Sequence, residues 1–273
     1  MIYLLLIYRY LCYYFRAETK YNIHSPFLSE FIQHVLEDRR RFYAFEIIQS
    51  FRKYLMQDKR KLDIIELGAG SKVNRSSKRS IRSLAKYASI DSHSGRILFR
   101  ISQLYKPNHI LELGTSLGIS SLYLAYGHLR GSLITIEGNP AVAKEAEAHF
   151  RRMEMSNIEL RVGHFDNVIN GVLEDLKTID LVFIDGNHTE EATLRYFESM
   201  LPYIHEHSIL VFGDIHWSKG MEKAWKQIIA HPKVRISLDL FHLGIVFFRK
   251  ENREKEDYTL IRSGLKPWKL GFF

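Results

Sequence analysis

Five carboxylates, Glu112, Glu137, Asp166, Asp185 and Asp214, each stand at or just beyond the end of a short apolar run. Carboxylates so placed can accept from ammonium groups, ribose hydroxyls or exocyclic amines. After the first run come Gly114 and Gly118, which let the backbone turn tightly against a ligand, and then Ser120 and Ser121 at a helix start. The spacing E-x-G-x-x-x-G lacks the middle glycine of the dinucleotide fingerprint G-x-G-x-x-G. A pyrophosphate is therefore poorly provided for, whereas a smaller zwitterion could meet Glu112 and the amides of the turn. Asp185 is followed three residues later by His188, whose imidazole could accept a proton. Its structural alternative is a cap for the helix expected over residues 190–200.

The elements that must position these groups are legible as strands alternating with helices. Residues 109–113 are short and apolar, as a strand covered on both faces would be, and residues 132–136, 158–162, 179–184 and 208–213 read as the strands that follow. Open sheets of this kind bind ligands at the carboxyl ends of their strands, so the five acids would face one crevice. Glu137 stands about 20 residues past the glycine turn, where a carboxylate can take both hydroxyls of a ribose. Phe165 could stack on a base, and Asp166 could accept from its amine.

Taken in order, ELGTSLGIS, ITIEGNP, VGHFDN, DLVFIDGNH and LVFGDIHW resemble the class I S-adenosylmethionine-dependent methyltransferases, closest to the catechol and caffeoyl-CoA O-methyltransferase-like group, over residues 94–249. The resemblance implies an α/β Rossmann-like fold with a seven-stranded, mostly parallel sheet, an antiparallel last strand and a helical N-terminal extension. Residues 234–239 and 242–248 fit its final hairpin. It implies S-adenosylmethionine as cofactor, held by Glu112, Gly114, Thr115, Ser116, Gly118, Ser120, Glu137, Gly163, Phe165, Asp166 and Asp185. It also implies O-methylation of a small or lipid-like acceptor with His188, Asp185 and Asp214 as the catalytic group. In metal-dependent relatives Asp185, Asp214 and a following Asn would hold a divalent cation such as Mg²⁺, but the third position here is Ile215, which offers no oxygen. Two other readings stay open, an RNA or protein methyltransferase and a non-catalytic module that binds the cofactor.

A second stretch, residues 62–71, LDIIELGAGS, imitates the first motif more closely still. It runs into a basic, Ser-rich segment from Lys72 to Lys86, with no strand ending in an acid except at the distance of Asp91. Residues 88–94 are too polar for a central strand, so the cofactor is assigned to the copy at 109–125. The basic run reads as a solvated helix face. Its charges are not interleaved with aromatics, which argues against nucleic acid.

With 273 residues the chain can bury one sizeable core, and its lone Cys12 excludes an internal disulfide framework and suits a reducing, cytoplasmic setting. Charge is uneven: residues 1–106 carry +11 and the remainder −3. The expected organisation is an N-terminal extension over 1–93, the cofactor domain over 94–250 and a tail over 251–273. Residues 2–15, IYLLLIYRYLCYYF, are too short to span a bilayer comfortably. Either they form a helix packing on the protein or on a second subunit in a homodimer, or residues 1–20 touch a membrane surface. Partners are otherwise confined to the small-molecule acceptor.

Overall fold

The computed structural model describes residues 2–65, 76–252, 254–266 and 268. In chain order it opens with α1 (Ile2–Arg16), α2 (Pro26–Phe31), α3 (Tyr43–Leu55), β1 (Lys61–Ile65), β2 (Ser76–Ser80), α4 (Ile81–Tyr87) and α5 (Ser92–Tyr105). The alternating part comes next: β3 (His109–Leu113), α6 (Ile119–Gly127), β4 (Ser132–Glu137), α7 (Pro140–Arg152), β5 (Ile158–Val162), α8 (Phe165–Leu176) and β6 (Ile179–Ile184). The last elements are α9 (Glu190–Met200), β7 (Ile204–Gly213), α10 (Lys219–Ala230), β8 (Ile236–Asp239), β9 (Leu243–Phe247) and β10 (Glu256–Thr259). The chain forms two compact units, one of Arg41–Asn187 with Pro202–Ile204, the other of Met1–Arg40, His188–Leu201 and His205–Phe273.

In the first unit β6, β3, β4 and β5 lie side by side, all parallel. Leu111 and Leu113 of β3, Leu133 and Ile136 of β4, and Leu181 and Phe183 of β6 are buried, as expected for strands covered on both faces. Helix α5 is started by its cap: the Asp91 carboxylate accepts from the amides of His93 (2.7 Å) and Ser94 (3.1 Å). Asp91 is thus occupied as a cap, not placed as a ribose acceptor for the 62–71 copy. That copy's strand, β1, pairs antiparallel with β2 in a separate two-stranded sheet. The glycine turn beyond it lies outside the described residues. The basic run differs from expectation in part, because Ser76–Ser80 is strand and only α4 is helix. The pairing to β1 explains this, since each β2 residue finds a ladder partner there.

In the second unit β7 and β8 both pair antiparallel with β9, which is the reversed strand expected of the final hairpin. Phe241, in the connection, takes a left-handed backbone with φ of 70°. An eighth strand was not expected: β10, from the segment read as a tail, pairs parallel with β8. Its sequence EDYT is polar and partly exposed, so no apolar run announced it. Helix α1 belongs to this unit. Tyr13 donates to the carbonyl of Leu260, and Glu18 exchanges backbone hydrogen bonds with Thr259 and Ile261 beside β10. Among the described residues no helix is long and apolar enough to cross a membrane.

Candidate active site

The first unit builds a polar socket where β3, β4 and β6 end. Glu112, fully buried on β3, accepts from the hydroxyls of Ser121 and of Thr135 (2.6 Å), and Thr135 shares a 2.6 Å hydrogen bond with Thr115. Its other oxygen, Oε1, is buried and has no hydrogen-bond partner among the described residues. Burial pushes the Glu112 carboxyl up to about 7, against the hydroxyls of Ser120, Ser121 and Thr135 and with some help from the charge of Asp185. A buried carboxylate with one oxygen unmet can accept from a donor that is not part of the chain.

The turn after β3 is wired before any ligand is present. The amides of Gly114 (3.0 Å) and Thr115 (3.3 Å) both donate to the carbonyl of Ile136, and that of Ser116 donates to Glu137 Oε2 at 2.8 Å. Glu137 Oε1 accepts from the amide of Asn139 at 2.9 Å, so both oxygens are oriented and each retains a lone pair. Burial raises the Glu137 pKa, and the surrounding amides of Asn139, Ser116 and Gly138 limit the rise. The Thr115 hydroxyl is engaged inside this network. It is a strut beneath the turn.

Two glycines make the turn possible. Gly114 has φ of 106°, and a Cβ there would run into the carbonyl oxygen of Asp185, just past β6. Gly118 has φ of 86°, and a Cβ there would meet the Phe150 ring at 2.5 Å. We expect Gly114→Ala to destabilise the protein by about 1–3 kcal/mol from backbone strain and overlap, read by urea unfolding. An unchanged unfolding midpoint would show that Asp185 is free to retreat.

Phe165 opens α8, whose cap is the preceding His164: its Nδ1 accepts from the Asp166 amide at 3.4 Å. A Cβ on Gly186 would meet the Phe165 ring at 2.7 Å, so the ring lies over the bare backbone of the 185–187 loop. The close approach of Phe165 to Gly186 is a contact that the sequence reading passed over; the signal was the pair Asp185-Gly186 at a strand end. Gly163, φ 152°, precedes the cap, and Asp166 is exposed in the first turn of α8. The structure therefore brings Glu112, Gly114, Ser116, Gly118, Ser120, Glu137 and Asp185 to one turn region, with Phe165 against the loop that carries Asp185.

The second unit holds the other candidates. The cap of α9 is Thr189, whose hydroxyl accepts from the Ala192 amide at 3.3 Å, so the capping reading of His188 falls. His188 and Asp214 each offer a ligand atom, and these lie within 4.8 Å of one another. Asp214 has a left-handed backbone, φ 54°, fixed by its amide on His242 O (2.8 Å) and its carbonyl on Trp217 N (2.9 Å). Ile215 turns into the core, where a Cβ on Gly244 would meet its methyl at 2.9 Å. His216 is an anchor: its Nε2 pairs with Asp239 at 2.8 Å and its Nδ1 with Glu222 at 3.3 Å. Burial opposes its charging, but these two carboxylates outweigh burial and raise its pKa.

Residues 111–215 match a family described as a methyltransferase domain. Over 130 residues the chain is 30% identical to the catechol O-methyltransferase of Niastella koreensis, covering 46% of this chain and 58% of that protein. It thus spans under two thirds of that curated relative. Among solved structures it resembles the O-methyltransferase of Bacillus cereus in complex with S-adenosylhomocysteine, with a TM-score of 0.54 at 17% identity over 82% of this chain and 97% of that one. It also resembles the S-adenosylhomocysteine-bound methyltransferase of Podospora anserina, with a TM-score of 0.58 at 12% identity over 84% and 98%. At these identities the likeness establishes the fold.

Proposed function

From a chain that belongs to the class I methyltransferases, in the catechol and caffeoyl-CoA O-methyltransferase-like group, we propose transfer of a methyl group from S-adenosylmethionine to an oxygen of a small molecule. The observation that carries this is the buried Glu112 oxygen without a partner, beside a turn already shaped by Glu137. That pair fits an amino-acid ammonium at one end and a ribose at the other. When bound, S-adenosylmethionine supplies a methyl group on a sulfonium sulfur, which passes in line to the acceptor oxygen and leaves S-adenosylhomocysteine.

The chain's own residues do the rest. Glu112 holds the ammonium, Glu137 accepts the ribose hydroxyls, and Phe165 with Asp166 meets the base at its face and its amine. His188 takes the proton that the acceptor hydroxyl loses. It lies three residues beyond Asp185, at most about 10 Å of chain, so Asp185 orients either the imidazole or the acceptor. The proximity of the His188 and Asp214 donor atoms supports a second role for the same residues. His188 and Asp214 would hold a divalent cation, which would acidify the acceptor hydroxyl. Imidazole would take the place of the oxygen that Ile215 lacks, and as a nitrogen ligand it favours Mn²⁺ or Fe²⁺ over Mg²⁺.

Calorimetric titration of S-adenosylmethionine into the full chain tests the site. Glu137→Ala is expected to weaken binding about 30-fold, equivalent to about 2 kcal/mol for the lost charged hydrogen bonds. No heat from the unaltered protein would sink the reading. Labelled methyl transfer to catechol, with chelator and with Mn²⁺, then separates the two roles of His188. Turnover that survives chelator supports the proton acceptor, and turnover that needs Mn²⁺ supports the cation.

A further inference from the structure

Helix α1 is inside out for a helix on a water-facing surface. Its one mid-helix charge, Arg9, points inward: Nη1 donates to the carbonyls of His216 (3.2 Å) and Trp217 (3.1 Å), and Nε pairs with Glu222 at 3.1 Å. Four residues on, Tyr13 is buried, and Tyr10 packs edge-on against Phe241 with ring centroids 5.0 Å apart. At 100° per residue the opposite face is Leu4, Ile7, Tyr8, Leu11 and Phe15, a stripe with no charge in it. These five are between 45% and 74% exposed. An apolar stripe of this kind on a helix held in place by buried polar bonds marks a surface that something else covers.

We propose that this stripe lies on the interface of an anionic lipid bilayer. Two observations favour lipid over a second copy of the chain. A helix of 15 residues is about 22 Å long and about 10 Å wide, so its face offers a footprint of roughly 220 Å², against about 800 Å² per partner in a stable complex. A bilayer has no such threshold, because it accepts a shallow apolar face and adds charge attraction. The surroundings also suit a headgroup layer. Trp217 and Trp268 are about half to two-thirds exposed, the latter against Tyr14 at 6.1 Å, and the exposed cations Arg16 and Lys20 lie just past the stripe. The helix lies on the surface without crossing it, being too short to span.

Flotation of the full chain with phosphatidylserine-containing and pure phosphatidylcholine vesicles tests this, with fluorescence of the exposed tryptophans as a second readout. The unaltered protein is expected to float with the anionic vesicles and to shift its emission to the blue. Ile7→Asp with Leu11→Asp is expected to cut partitioning at least tenfold while leaving the elution volume and melting temperature of the free protein unchanged. Failure of the unaltered protein to bind anionic vesicles overturns the proposal, whatever the variant does. So does a concentration-dependent dimer that Ile7→Asp with Leu11→Asp dissociates, which would make a second copy the occupant. The readout is vesicle binding, so it stands apart from the fate of the methyl-transfer reading.

Discussion

Glu112→Gln is expected to weaken S-adenosylmethionine binding about 100-fold and, at the same time, to raise the melting temperature of the ligand-free protein at pH 8. The first effect comes from removing the charged half of a buried ammonium–carboxylate hydrogen bond, a loss of about 3 kcal/mol. The second comes from burial. The folded carboxyl sits at about 7 against an ordinary 4.5, so folding favours its protonated form. That contribution is fully present below pH 4.5 and is lost as pH rises through 7. Above that, the ionised group costs on the order of 3 kcal/mol. Glutamine is neutral throughout but leaves an amide where Oε1 had no partner, which takes back about 2 kcal/mol. The net gain of about 1 kcal/mol is worth about 2–4 °C at pH 8 and reverses to a loss of about 1 kcal/mol by pH 5. Affinity of the unaltered protein is expected to fall, approaching tenfold per pH unit below 7, and affinity of the variant to be flat. Calorimetry and thermal melts across pH check both; equal affinities would remove Glu112 from the ligand.

His188→Ala is expected to lower kcat for methylation of catechol by about 10²–10⁴-fold, the range that a positioned proton acceptor contributes, with S-adenosylmethionine affinity unchanged. A proton-acceptor role further predicts partial rescue by added imidazole and by higher pH, where the acceptor hydroxyl ionises unaided. A cation-holding role predicts rescue by excess Mn²⁺ and not by pH. Full turnover in the variant would eliminate both roles. The alternative in which His188 is only a helix cap has already lost its ground, because Thr189 supplies the capping oxygen.

How much of this was legible depended on whether a residue's role was set by its neighbours in sequence. The strands β3, β4 and β6 announced themselves because they are largely buried and therefore mostly apolar, whereas β5, IELRV, alternates apolar with charged residues and is partly exposed. The acids at their ends emerged from the same pattern. Glu112 was found, but its unmet oxygen was not, since that depends on Ser121 and Thr135 arriving from two other elements. The bond that holds the Thr115 hydroxyl escaped for the same reason: its partner, Thr135, is 20 residues away. β10 escaped because EDYT is polar, and only its ladder to Ile236–Asp239 makes it a strand. The inversion of α1 was hidden as well. Nothing in residues 2–15 announced that Arg9 is the buried tether that turns the apolar residues outward, since its partners His216, Trp217 and Glu222 lie more than 200 residues away.

The wiring of the turn after β3 has a kinetic consequence. Because the amides of Gly114 and Ser116 are already committed to Ile136 and Glu137, the ligand meets a finished template and has little backbone to immobilise on arrival. Deuterium exchange at those two amides is expected to be slow in the ligand-free protein and to slow only modestly further on saturation. The entropy of ordering this corner is lost during folding, so cofactor and demethylated product can exchange without the β3–α6 connection having to melt and reform at each turnover.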